Sequence, residues 1–193
     1  MRKKLLGVSL IIILLSLVAY GTWAYFTTNA RTTNVITTGT IDISLVETTI
    51  DEEGNTVAFP KDGITGVMPG RSVDKLVTIA NKGTGESWIR ATIVCHIVAA
   101  DGSELPLQLE NGEDALLFDI NEAKWEEQDG YYYYTGAVKA ESSTEHLFTQ
   151  VTFNKAMSNE YQGCTAYVDV AAQAVQVKNN GATVFDAAGW PAD

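Results

Sequence analysis

Two histidines, two cysteines and 13 basic residues are all that this 193-residue chain holds of three chemically telling kinds. Each scarcity excludes something. A helical zinc-protease motif needs two histidines four apart with a glutamate general base between them. His96 and His146 stand far apart in strand-like runs, neither in such a setting. A serine nucleophile fares no better, because Ser72, Ser87 and Ser103 lie outside any G-x-S-x-G elbow. The Gly-rich NKGTG loop opens no GK[ST] helix, so it is not a phosphate loop. The acidic turns DEEGN, DGSE and NGED lack EF-hand spacing and read as solvated turns. No catalytic residue, metal or cofactor is assigned. The 13 basic residues face 24 acidic ones, a formal charge of −11, which repels nucleic acid and anionic lipid. Neither is expected as a partner. The C-terminal end shows no LPxTG-type sorting motif and no hydrophobic tail, so surface attachment is expected to be non-covalent.

What the chain does have begins at its N-terminus. Arg2, Lys3 and Lys4 precede the uncharged apolar run Leu5–Val18, and small residues follow at Ala19, Gly21, Thr22 and Ala24. These are the three parts of a secretory signal. The rival reading is a retained membrane anchor, since the uncharged stretch continues to Ala30. Gly21, Thr22, Thr27, Thr28 and Asn29 make its second half poor hydrocarbon, so a cleaved signal is the reading taken. Cleavage after Ala24, with Thr22 at −3 and Tyr25 as the new N-terminus, leaves 169 residues, enough for one domain with a full core. It removes three basic residues and no acidic one, leaving ten against 24, a charge of −14. Export makes a disulfide between Cys95 and Cys164 permissible. Both lie in strand-like runs, where a small buried hydrophobe is the simpler reading.

Downstream the pattern is β throughout. Thr40–Glu47 alternates, the clearest long strand is Trp88–Ala99, and Cys164–Val177 closes the domain. In Trp88–Ala99, Ile89, Ala91, Ile93, Cys95 and Ile97 line one face. Further strands are expected at Val57–Phe59, Val73–Ala80, Leu105–Leu109, Leu116–Ile120 and Thr144–Asn154. In the last of these Leu147, Thr149, Val151 and Phe153 should oppose Phe148, Gln150 and Thr152. Asp129-Gly130 turns a hairpin between Trp125–Gln128 and Tyr131–Thr135, and Met68–Ser72 (MPGRS) suits a type II turn. About nine short strands with no helix of ten residues argue an all-β, jelly-roll-like antiparallel sandwich preceded by a signal helix. The boundaries expected are 1–24 for the signal, 25–39 for an extended segment, 40–178 for the sandwich and 179–193 for a tail.

The order GTWAYF, TTGTIDISL, MPGRSVDKLVTIANKG, WIRATI, DGYYYYTGAV, HLFTQVTF and VDVAAQAVQ resembles the TasA/camelysin family of exported fibre-forming proteins of Gram-positive biofilms. The resemblance spans nearly the whole chain. It implies a jelly roll, a dedicated signal peptidase as partner cutting after Ala24, and a secreted product at the cell surface or in the biofilm matrix. It also implies that the mature N-terminal segment is donated as a strand to the next subunit, giving homopolymers or co-polymers with related subunits. Membrane contact would then come only through the uncleaved signal. Carried over, the donor segment is Tyr25–Thr38, with Tyr25, Phe26, Thr28, Thr33, Val35 and Ile36 as strand residues. That stretch holds six threonines, two aromatics, one charge (Arg31), no proline and no glycine, as a donated strand requires. A flexible terminus is the rival reading on the residues alone. Two other functions stay open: a minor subunit that caps or anchors such fibres, and, because camelysin-type proteins have been placed among metallopeptidases, a secreted peptidase. Tyr131–Tyr134 reads as a core strand with one tyrosine pair inward, the sharper alternative being an exposed lateral contact.

Overall fold

A computed structural model describes residues 41–191. The strands, in chain order, are β1 (Ile43–Ile50), β2 (Thr56–Ala58), β3 (Ser72–Asp74), β4 (Leu76–Asn81), β5 (Ser87–Val98), β6 (Glu104–Leu105), β7 (Leu116–Phe118), β8 (Trp125–Gln128), β9 (Tyr131–Tyr134), β10 (Ser142–Ser143), β11 (Gln150–Phe153) and β12 (Thr165–Gln176). A single 3-10 turn, Asn159–Tyr161, is the helical content of the described residues. All pairings are antiparallel. The fold class is therefore all-β, a jelly-roll-like sandwich; the signal helix expected before it lies outside the described residues.

The first layer runs β2-β1-β4-β10 and continues as β3-β11-β7. The two parts are stitched where the Lys75 amide donates to the Thr149 carbonyl and Val77 and Leu147 exchange bonds with the facing chain. The second layer runs β12-β5-β9-β8, with β6 beside the end of β5. Inward side chains of both layers make one core, among them Val77, Ile79, Ile89, Ala91, Ile97, Val151, Phe153, Ala166 and Trp125. The predicted face of β5 is inward as expected, and so are Ala166, Val168 and Val170 on β12.

Four expectations change. Thr144–Asn154 is not one strand. Ser143 faces Ala80 and Thr144 donates to Ile79, yet Leu147 donates to Val77 and Gln150 faces Asp74. One extra residue therefore sits at Glu145–His146, a bulge. It turns Leu147 and Phe148 both inward, each fully buried, where strict alternation would oppose them. Leu105–Leu109 is not a sheet strand either. Pro106 has no N–H to give a ladder. Past it, Leu107–Leu109 pairs back on 113–115 around the Asn111-Gly112 turn. Finally, Val73–Ala80 is broken at Lys75 into β3 and β4; the tail, for its part, is docked. Val184 is buried against Trp88 and Val175, and Trp190 stacks edge-on to Tyr133 at 5.9 Å.

Met68–Arg71 makes the expected turn, with Arg71 N–H bonded to Met68 O at 3.1 Å and Gly70 at φ 79°. Before this turn the chain has crossed from the first layer to the second through Gly63–Val67. Ile64 and Ala166 exchange amide bonds, and a Cβ at Gly63 would stand 3.0 Å from the Ala166 carbonyl. Only glycine, with its φ of 79°, lets this segment lie that close to β12.

Candidate functional site

The site that strand donation would need is an open sheet edge, and the register of the sandwich identifies one. Because Ala166 bonds to Ile64, its N–H and C=O point away from β5. The β12–β5 register runs unbroken from Thr165↔Val98 to Gln176↔Ser87. In an antiparallel ladder successive residues aim their amides to opposite sides. So Val168, Val170, Ala172 and Ala174 all present backbone groups outward, and among the described residues no strand pairs with them. Their side chains are buried, which fixes the strand against slipping.

The corner beside this edge is open on the other layer too. Lys82 donates to Asp42 O, so Ser44 and Val46 face β4 while Ile43 and Leu45 face away. From Glu47 on, that side is closed by Phe59 and β2. Among the described residues nothing bonds the backbone of Ile43 or Leu45 on the outer side. β1 packs against β12, so among the described residues one corner of the sandwich carries two unpaired edges.

The other edges are guarded. β2 and β7 are three residues long. β8 reads WEEQ and carries Glu127 on its inward side, opposite Tyr132. Short edges and inward charges are standard protections against further pairing. β12 has twelve residues, no proline, no glycine and a single charge, Asp169. Among the described residues it is the long unguarded edge.

Between the layers sits a buried cation. Lys75 is 1 % exposed, donates from Nζ to Glu47 Oε1 at 2.7 Å, and lies 4.0 Å from the centre of the Phe59 ring. Its neighbour across the layers is Cys95. Burial first and the Asp169 charge second push the Cys95 thiol up to about 11, against the opposing Lys75 charge. Both thiols are free, which corrects the candidate disulfide. The strands are indeed neighbours, but Cys95 faces Val168. Cys164 is four positions further along, roughly 13 Å at the strand rise, well beyond bridging reach.

The remaining candidates separate. His96 faces outward on β5 with Nδ1 2.8 Å from Glu104 Oε1, and His146 is exposed in the bulge. Among the described residues no three of His, Cys, Asp and Glu converge on a metal-sized site. Tyr132 and Tyr134 pack on the core as one inward pair. Tyr131 and Tyr133 do not form a bare lateral patch. Arg90 lies 3.7 Å from the Tyr131 ring and 4.6 Å from Trp190, donating to Gln173 Oε1 and to the Tyr133 hydroxyl. The tail thus covers that face. Thr22, Ala24 and Tyr25 of the cleavage site lie outside the described residues. So do Phe26, Thr28, Thr33, Val35 and Ile36 of the donor segment.

Residues 1–89 match the family model described as camelysin metallo-endopeptidase. The resemblance is to camelysin. It covers the N-terminal segment, β1 to β4 and the start of β5, the same stretch that carries GTWAYF, TTGTIDISL and MPGRSVDKLVTIANKG. No curated protein and no solved structure matches the chain. The camelysin description names a peptidase activity, which the dispersed histidines do not support with a ligand set.

Proposed function

We propose that this camelysin relative is an exported, non-enzymatic subunit that assembles head to tail by strand donation into a cell-surface or biofilm-matrix fibre. The observation that carries the reading is the open corner, where β12 offers an unguarded edge and β1 a second one. An extended, threonine-rich strand with alternating apolar residues is the ligand such an edge takes: main-chain bonds give affinity and alternate side chains give register. Tyr25–Thr38 has that composition, and signal cleavage after Ala24 would free it. Head-to-tail donation is a heterologous contact, and such contacts propagate unless they close into a ring.

Electron microscopy and sedimentation of secreted protein starting at Tyr25 test this. Filaments are expected from that chain and none from a version lacking Tyr25–Thr38. Monomers from both, across pH and salt, would sink strand donation. The family description favours a second reading, a metallo-endopeptidase. Stoichiometric zinc binding abolished by His96→Ala/His146→Ala, together with chelator-sensitive peptide cleavage, would establish it in place of the first.

A further inference from the structure

At the opposite corner, where β7 and β8 end the two layers, the sandwich holds a groove of about 840 Å³. Its floor is apolar: Ile93 and Cys95 of β5 and Tyr132 of β9 are only half-buried there, with Trp125 and Phe118 on the walls. Its rim is acidic. Asp114, Glu122, Glu126 and Glu127 line it, and among the described residues none of the four pairs with a lysine or arginine. The Glu127 carboxylate accepts the Gly130 amide, at 2.9 Å.

The groove also has a backbone side. Asn154 donates to the Ala115 carbonyl and Thr152 faces Leu117, so Ala115 and Leu117 point toward β11. By the alternation of the ladder, Leu116 and Phe118 turn their amides and carbonyls away from β11, toward the groove they line. Among the described residues nothing bonds them. An apolar trough, a short open edge and four unpaired carboxylates occur in one place.

We propose that this groove binds an extended peptide segment of a different, basic protein, with apolar residues on the trough and lysine or arginine against the rim. Charge complementarity selects the occupant. A second copy of this chain brings, after cleavage, 24 acidic residues against ten basic ones, and its donor segment Tyr25–Thr38 offers a rim of four carboxylates only Arg31. A neutral strand would bury Glu127 against nothing, which makes β8 hostile to the threonine-rich strand that suits β12. The open amides of Leu116 and Phe118 favour a peptide over an amine without a backbone. The two corners therefore take different ligands, and this inference does not depend on strand donation.

The test uses the mature chain and two synthetic nine-residue peptides, acetylated KVTVKVTVK and EVTVEVTVE, in isothermal titration calorimetry. The basic peptide is expected to bind and the acidic one to bind at least 100-fold more weakly. Glu126→Lys/Glu127→Lys, both on exposed positions, should weaken the basic peptide at least tenfold. Glu52→Lys/Glu53→Lys changes net charge equally in the remote β1–β2 turn and should leave affinity within twofold. Equal losses in the two double variants would reduce the effect to net-charge attraction and overturn the proposal. So would failure of the basic peptide to bind, or displacement of it by spermidine at an equal concentration.

Discussion

A pair of adjacent proline substitutions separates the inner and outer sides of β12. Ala171 faces Thr92 across the ladder, and the odd-numbered amides of β12 point to β5. Ala171→Pro removes a ladder hydrogen bond and strands the Thr92 carbonyl, about 1 kcal/mol for the bond and about 1–3 kcal/mol for the unsatisfied acceptor. Ala172→Pro removes an amide that has no partner among the described residues. Its cost is the backbone mismatch and slight crowding at a position 3 % exposed, about 1 kcal/mol. The gap of about 2 kcal/mol should appear as a melting temperature about 4–8 °C lower for Ala171→Pro than for Ala172→Pro. Assembly should show the opposite ranking of cause. Ala172→Pro stays folded yet loses a main-chain donor in the middle of the acceptor edge, so filament growth followed by light scattering should stop or slow at least tenfold. Two results would refute the reasoning. Equal destabilisation by the two prolines would mean the outward side of β12 is misassigned. Normal filaments from Ala172→Pro would mean the donated strand docks elsewhere.

Other perturbations follow from single contacts. Glu47→Gln leaves the Lys75 ammonium buried without its carboxylate and, since Glu47 is partly solvated, should cost about 1–3 kcal/mol in urea unfolding; Lys75→Met should cost less than that or stabilise. Asp119 accepts from the Thr149 hydroxyl and from the Thr149 and Gln150 amides; burial raises its carboxyl, but those bonds outweigh it and hold it below 3.8. A depressed carboxylate stabilises above its unfolded value and loses that stability as pH falls through the folded value, so Asp119→Asn should flatten the melting-temperature decline below about pH 4. Thiol titration of denatured, unreduced protein should give two thiols per chain, while the native protein at pH 8 should react slowly because burial keeps the Cys95 thiol protonated. If strand donation builds fibres, raising NaCl from low to physiological strength should speed growth, because it screens repulsion between copies; filament growth that is indifferent to salt would argue against like-charged subunits meeting edge to edge.

The strands were legible where side chains alternate over many residues. β5 and β12 show this best, because each buries one whole face on the other layer. The same pattern cannot give register. That Cys95 meets Val168 rather than Cys164 depends on which residues of two distant segments align, and nothing local encodes it. The bulge at Glu145–His146 was hidden for a related reason. TEHLFTQVTF alternates well enough on paper, and only the fixed positions of Ile79 and Asp74 on the facing strand force the extra residue out. The tail carried no period at all. Its docking joins Val184 to Trp88 and Val175 and sets Trp190 against Tyr133 and Arg90, and contacts between such distant parts of the chain leave no spacing rule in the sequence.

Edge protection ties the acidic composition to the open corner. A chain this acidic resists indiscriminate association, since copies repel at distances beyond contact. Long-range repulsion, however, does not discriminate one edge from another; that depends on each edge's own residues. β8 spends two glutamates and β2 and β7 are cut to three residues, so three edges are poor templates. β12 spends only Asp169 across twelve residues, and its outward amides sit beside an equally open stretch of β1. A monomer with no use for that edge would carry an aggregation hazard, which a lysine or proline in β12 would remove cheaply. The same edge in an assembling subunit is an acceptor, and the charge on the rest of the surface then limits pairing to a strand with little charge of its own. Tyr25–Thr38 carries one charge, a positive one, at Arg31. The composition of the donor, the guarded edges and the unguarded one are three separate features of the sequence, and strand donation accounts for all three together.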